Sequence, residues 1–272
     1  MTVDLSEQTW AITGAAGRIG TTLRAGLRGS VASLVLIDSR PVADPQPGEL
    51  VVVLDIADAV AVREALAGKN IAGVIHLAAI PDEADFRDLV QANIVGTWHV
   101  LEAIREAGIP RIVYASTGRT IGMYDAGTIV SPDDPTRPDG LYAVSKVAGE
   151  ALCRMYVDKF GLRATCMRIG AFKDEPVEAR DLSVWLSPAD AVRAFVAAMA
   201  QESEAFAVLL TYSANTHGWA DLAPGRALGF DPVDDASDHR EAAGLADQPV
   251  TTGVAAGVLG SPEFTLGRQR GF

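Results

Sequence analysis

Trp10-Ala11-Ile12-Thr13-Gly14-Ala15-Ala16-Gly17-Arg18-Ile19-Gly20 joins an apolar run to a loop whose three glycines stand three apart. The run reads as a buried strand, and the residues from 18 to 27 as an amphipathic helix. Gly14 permits the tight strand-to-helix bend. Gly17 lets backbone N–H groups approach a pyrophosphate, and Gly20 lets the helix lie close on the sheet. A glycine triplet alone is common. Its context gives it weight: a strand before it, a helix behind it, and an acid, Asp38, about twenty residues on.

Outward from that loop, short apolar runs alternate with amphipathic stretches. Strands are expected near 9–13, 33–37, 50–54, 71–76, 110–115 and 163–168, and helices near 18–27, 58–67, 85–106 and 140–159. Runs such as Leu34-Val35-Leu36-Ile37 are almost continuously hydrophobic, as expected when both sheet faces are covered. The fold class is therefore α/β, a Rossmann-type doubly wound parallel sheet with a small C-terminal substrate-binding region. Residues 1–170 are expected to form the NAD-binding core with the catalytic residues. Residues 171–272 are read as a smaller covering region of the same domain, made of helices and loops over the sheet's carboxyl edge. One clear helix remains there, Pro188 to Ala200, with Ser187 as its N-cap.

Composition narrows the function. The chain has 272 residues, 49% of them hydrophobic and 21% charged. It carries 23 Lys and Arg against 35 Asp and Glu, a formal charge of −12. That balance argues against a nucleic-acid partner, whose phosphates need clustered cations. No apolar run is long enough to span a membrane, and the acidic start Met1-Thr2-Val3-Asp4 lacks the pattern of a signal peptide. Two cysteines, Cys153 and Cys166, read as inert core thiols of a reducing, cytoplasmic compartment. The histidines at 76, 99, 217 and 239 show no metal-ligand spacing, and no metal is expected.

Asp38 follows the second strand, where a carboxylate accepts bonds from the adenosine ribose and repels a 2′-phosphate; NAD is favoured over NADP. Arg40, two residues on, could receive a 2′-phosphate, which leaves dual use open; it is read in preference as a solvated loop cation. Asp55-Ile56 follows the third strand, where the acid either meets the adenine or, with Asp58, starts a helix. His76-Leu77-Ala78-Ala79 ends the fourth strand: its small residues suit a backbone passing close to the cofactor, and His76 reads as a packed histidine.

Tyr142-Ala143-Val144-Ser145-Lys146 opens a later helix. A phenol is a poor base at neutral pH, and a lysine one turn on shares its helix face, where its charge favours the tyrosinate. Tyr-x-x-x-Lys alone is weak evidence; with the glycine loop upstream it points to hydride transfer at a carbinol carbon. Ser116 and Thr117, ending the fifth strand, offer hydroxyls for the substrate oxygen. Asn93 could hold a water linking Lys146 to solvent.

The glycine loop, Asp38, His76-Leu77-Ala78-Ala79, Asn93-Ile94-Val95-Gly96-Thr97, Ser116-Thr117 and the Tyr142/Lys146 pair together resemble the extended short-chain dehydrogenases/reductases, the NAD-dependent epimerase/dehydratase group, over residues 9–240. Within it, stretches such as Thr120-Ile121-Gly122-Met123-Tyr124 and Arg137-Pro138-Asp139-Gly140-Leu141-Tyr142 resemble the bacterial uronate dehydrogenase branch. The resemblance implies Tyr142 as acid/base, Lys146 as its activator and ribose ligand, and Thr117 rather than Ser116 as the hydroxyl partner. Further cofactor contacts are expected from Gly14, Gly17, Arg18, Ile19, Gly20, Asp38, Asp55, Ile56, Leu77, Ala78, Ala79, Asn93, Ala115 and Ile169. Substrate contacts are expected from Ile80, Ser116, Thr117, Gly118, Arg119, Ala171 and Arg180.

Four positions depart from the branch. Gly118-Arg119 stands where Asn-His is expected, and Pro81 and Ala171 stand where serines are. Arg180 falls where the branch holds the uronate carboxylate, and a guanidinium fork suits that anion. Arg119 is either a second anion contact or a solvent-facing cation. The expected activity is NAD-dependent oxidation of C1 of a hexuronate or related aldose to a lactone, in a homo-oligomer. The alternatives are an epimerase or reductase acting on another sugar or alcohol, and a non-catalytic dinucleotide sensor.

Overall fold

The computed structural model describes residues 4–246 and 252–269. Strand β1 (Thr9–Thr13) leads into helix α1 (Arg18–Gly26), then β2 (Ser33–Asp38), β3 (Glu49–Val53), α2 (Ala59–Leu66) and β4 (Ile71–His76). The helix expected over 85–106 is three pieces: α3 (Phe86–Leu89), a wide π-helical turn (Val90–Val95) and α4 (Gly96–Glu106). Next come β5 (Arg111–Thr117), α5 (Leu141–Phe160), β6 (Arg163–Ile169), the two-residue β7 (Ala171–Phe172), α6 (Asp181–Val184), the two-residue β8 (Trp185–Leu186), α7 (Pro188–Ala200) and β9 (Phe206–Thr211).

Seven parallel strands run in the order β3-β2-β1-β4-β5-β6-β9. The apolar runs sort by period two onto the two faces. Trp10, Ile12, Leu34, Leu36, Ile75, Val113 and Met167 pack in one core with Leu23 of α1 and Phe195 of α7. Their neighbours Ala11, Val35, Ile37, Val74, Ile112 and Cys166 pack in the other, against Val62 of α2, Ile104 of α4 and Tyr156 of α5. Both faces are thus covered, which is why these strands read as continuous hydrophobics.

The reading of everything after 170 as helices and loops over the carboxyl edge is corrected here. Phe206-Ala207-Val208-Leu209-Leu210-Thr211 is an edge strand hydrogen-bonded to β6, and α7 packs on the sheet face beside α1. Turn residues on either side of this run masked a six-residue strand that alternates between the two cores. The α7 helix itself is as expected, with the Ser187 hydroxyl accepting from the Asp190 N–H at 2.9 Å. Among the described residues no helix is long and apolar enough to cross a membrane.

Candidate active site

The strand order reverses between β1 and β4, and at their carboxyl ends lies a cleft of about 920 Å³. Open α/β sheets take ligands at this switch point. Gly14 sits in the left-handed region (φ +74°), and a Cβ there would lie 2.7 Å from the Ala78 nitrogen. The loops after β1 and β4 meet backbone to backbone, so a side chain at 14 would force them apart. A Cβ on Gly20 would lie 2.5 Å from the Gly14 carbonyl oxygen, so α1 rests directly on the loop. Gly17 is the extended N-cap, and Arg18 and Ile19 form the first helical turn, whose N–H groups have no carbonyl four residues back inside the helix. That helix end faces the cleft and suits an anion such as a pyrophosphate.

At the end of β2, Asp38 is buried; one carboxylate oxygen accepts from the Ala16 N–H at 3.0 Å and the other from the Arg40 N–H at 2.9 Å. Each oxygen keeps a lone pair for a ribose hydroxyl. Arg40 is a solvated loop cation, its side chain 68% exposed. Its guanidinium lies 3.5 Å from Asp38 and donates to the Ala16 carbonyl. Asp55 and Ile56 reach the same wall. The cap of α2 is Asp58, which accepts from Val60 and Ala61, while Asp55 accepts from Ala57. Leu77, Ala78 and Ala79 line the floor. His76 lies beneath them, held between the hydroxyls of Thr13 at 2.7 Å and Thr97 at 3.0 Å. The Thr97 hydroxyl donates to the Asn93 carbonyl, so it accepts from Nε2–H, and Nδ1 accepts from Thr13. Burial, and then the Lys146 charge, push this imidazole down to about 3, and it stays neutral. These features fit a dinucleotide.

The other half of the cleft holds the reactive groups. Tyr142 opens α5; its ring lies under the Arg119 guanidinium, and it lines the cleft together with Thr117. Burial pushes this phenol up to about 12; the Arg119 charge and then the Thr117 hydroxyl pull the other way. Lys146, one turn on, donates from Nζ to the Ala115 carbonyl at 2.8 Å and lies over the Tyr114 ring. Burial lowers its ammonium to about 8, so it is still mostly charged at neutral pH. Ala115, Ile80, Gly118, Ala171 and Ile169 complete the walls named from the sequence. Arg180 enters from the loop before α6 and lines the cleft; its Nε donates to the Ala255 carbonyl at 3.1 Å, and among the described residues its terminal nitrogens have no hydrogen bond.

Three residues differ from the sequence expectation. Asn93 does not line the cleft: its amide brackets both backbone groups of Ile80, at 2.8 and 3.1 Å, and donates to Ser145 at 2.9 Å. The π-helical turn aims it at the wall's backbone, so it shapes the wall from behind. Ser116 turns its hydroxyl away from the cleft to Glu150, at 2.5 Å. Arg119 is neither a free anion contact nor a solvent-facing cation. It is buried, and its guanidinium binds Asp139 at 2.8 Å, Asp82 at 3.0 Å and Glu83 at 3.2 Å. The three acids escaped sequence reading. The adjacent Asp82-Glu83 pair and the acid before Gly140-Leu141-Tyr142 were the available signals. Also unforeseen are Phe172, Val184, Tyr212 and Leu259, which add apolar surface to the cleft wall.

Known proteins share this sequence pattern and fold. The model of the NAD dependent epimerase/dehydratase family matches residues 10–172. A uronate dehydrogenase of Agrobacterium fabrum is 42% identical over 229 residues, which is 84% of this chain and 86% of that protein. One from Pseudomonas putida is 34% identical over 244 residues, 88% of this chain and 90% of that one. The crystal structure of a uronate dehydrogenase mutant from Agrobacterium tumefaciens, complexed with NAD, superposes with a TM-score of 0.88 at 37% identity, covering 96% of this chain and 100% of that one.

Proposed function

Because the chain belongs to the NAD dependent epimerase/dehydratase family, we propose that it is an NAD-dependent dehydrogenase that oxidises C1 of a cyclic hexuronate to the lactone. The observation that carries this reading is the meeting of Tyr142, Thr117 and Arg180 in one cleft with the glycine loop and Asp38. The 42% and 34% identical relatives are named for the same activity. Gly14, the first turn of α1 and Asp38 would hold NAD, which when bound supplies the hydride acceptor and a positive ring charge beside the phenol. Thr117 and Tyr142 line the same cleft, so both hydroxyls can reach a C1 hydroxyl; Tyr142 takes its proton. Lys146, fixed on the Ala115 carbonyl, adds positive charge beneath the site and can reach a ribose. Arg180, anchored by Ala255, offers its remaining nitrogens to a carboxylate on the far side of the sugar ring.

The test is absorbance of reduced nicotinamide on mixing the protein with NAD and glucuronate, galacturonate or the matching neutral aldoses. Turnover of the uronates is expected. Arg180→Ala should lower kcat/KM for uronates by about 10- to 100-fold, the worth of a charged hydrogen bond, and leave any slow neutral-sugar turnover unchanged. Turnover of neutral sugars in preference to uronates would overturn the acidic-substrate reading.

The same proposal includes a reducing, cytoplasmic setting and a homo-oligomer. Cys153 and Cys166 are buried free thiols. Val144 and Met155 lie on one side of α5 and are exposed, at 38% and 36%, as is Trp98 on α4 at 46%; a second copy would cover such apolar side chains. Light scattering should report a mass above that of the monomer; a monomeric mass would remove this part of the proposal.

A further inference from the structure

We propose that Arg119 is a positioning residue for the base: clamped among Asp82, Glu83 and Asp139 and laid over the Tyr142 ring, it fixes the helix end that carries Tyr142 and sets the charge around its phenol. This rests on the reading of Tyr142 as the base, and not on which sugar is oxidised.

The N-cap of α5 is Gly140, which has no side chain to satisfy the first N–H groups of the helix. Glu83, from the loop after β4, supplies the missing acceptors: its carboxylate takes the Leu141 N–H at 2.8 Å and the Tyr142 N–H at 3.2 Å. A Cβ at position 140 would lie 2.5 Å from that carboxylate and 3.0 Å from the Arg119 guanidinium, so the glycine is what admits them. The Glu83 side chain is fully buried. A buried carboxylate needs a partner, and Arg119 is that partner, at 3.2 Å.

Arg119 also has to serve two more acids. Its Nε meets Asp139 at 2.8 Å and its Nη1 meets Asp82 at 3.0 Å, while its plane covers the Tyr142 ring at 5.3 Å and the Phe264 ring at 5.4 Å. One cation thus stands between three carboxylates and the base. Among the described residues, the charged groups that act on the phenol are Arg119 after β5, Asp82 after β4 and Asp139 before α5; Glu83 holds the Tyr142 N–H, Lys146 stands one turn along the same helix, and Arg180 acts on Asp139 from the loop before α6. Arg119 favours the tyrosinate; Asp82 and Asp139 oppose it. Burial lifts the Asp139 carboxyl to about 6 against the pull of Arg119, and its second oxygen has no hydrogen bond among the described residues.

Two partners of one ion pair should therefore move the base in opposite directions. Arg119→Gln leaves three uncompensated acids, so the acid limb of the kcat–pH profile should move to higher pH by about one unit, seen as roughly tenfold lower kcat at pH 7. Asp139→Asn removes an opposing anion and should move the limb to lower pH. The double variant should return toward the parent, and Arg119→Lys, which keeps the charge without the fork, should hold the limb near its original position. Where Arg119→Gln does not fold, Asp139→Asn and Arg119→Lys carry the test. Ultraviolet difference titration of each protein against the same protein with Tyr142→Phe reads the phenol directly. It needs no substrate, so it separates this proposal from the choice of sugar. Limbs that stay fixed, or that move in the same direction for both partners while only the melting temperature falls, would overturn the proposal.

Discussion

Tyr142→Phe is expected to bind NAD with the affinity of the parent and to lose turnover by a factor on the order of 10³–10⁴, the upper range for removal of a positioned general base. The hydroxyl is the only group lost. The ring stays packed under the Arg119 guanidinium, and the dinucleotide half of the cleft is built from the glycine loop, Asp38 and the β4 floor. Calorimetry with NAD checks the first half of the expectation, and turnover with glucuronate or galacturonate the second. The pH dependence has a definite sign. Burial raises the phenol to about 12, whereas Arg119 and Thr117 lower it. Catalysis needs the tyrosinate, so kcat should rise with pH through the acid limb and fall about tenfold per unit below it. The variant's residual rate should show no such limb. A variant that still turns over at a tenth of the parent rate would remove Tyr142 from the role of base.

The parts of this molecule that are legible in the sequence are those whose side chains act locally. The glycine loop, Asp38 and the Tyr142/Lys146 pair depend on chain neighbours and helical spacing, and all of them line one cleft. Strands β1, β2, β4, β5 and β6 can be read because both faces are buried and their runs are unbroken, and the half-exposed edge strand β3 because its apolar run is unbroken too. The remainder depends on partners far along the chain. Arg119 meets Asp82 and Glu83 from 37 and 36 residues away, and no local pattern marks a cation whose charge is already taken up by distant acids. Ser116 reads as a free hydroxyl because Glu150, which accepts from it, lies 34 residues on. The position of Asn93 after β4 suggests the cofactor, yet the π-helical turn aims it at Ile80. Strand β9 is hidden by its context: a short apolar run among turn residues shows its place only when β6 offers an edge.

Glu150 carries the largest stability effect expected at the site. It lies on α5 one turn beyond Lys146, and its carboxylate takes the Arg168 guanidinium through two bonds, 3.1 and 3.0 Å, together with the Ser116 hydroxyl. The third Arg168 contact is the Pro132 carbonyl at 3.3 Å. All three side chains are buried, and together they tie β5, α5 and β6 directly behind Thr117. Glu150→Ala leaves a buried guanidinium with one weak acceptor, so a loss of about 3–5 kcal/mol is expected, a fall in Tm of roughly 6–20 °C for a domain of this size. Thermal unfolding checks the magnitude, and a companion variant checks the cause. Replacing both partners with apolar residues, Glu150→Leu with Arg168→Met, removes the stranded charge and should recover most of the loss, because a buried ion pair owes its apparent strength largely to the cost of breaking it from one side. The double variant should still be a poor enzyme, since the freed Ser116 hydroxyl and the loosened junction of β5 with α5 no longer hold Thr117 against Tyr142. Recovered stability without recovered kcat would assign the network to the alignment of the site. A double variant as unstable as Glu150→Ala would instead mean that the bidentate geometry itself fastens the two elements.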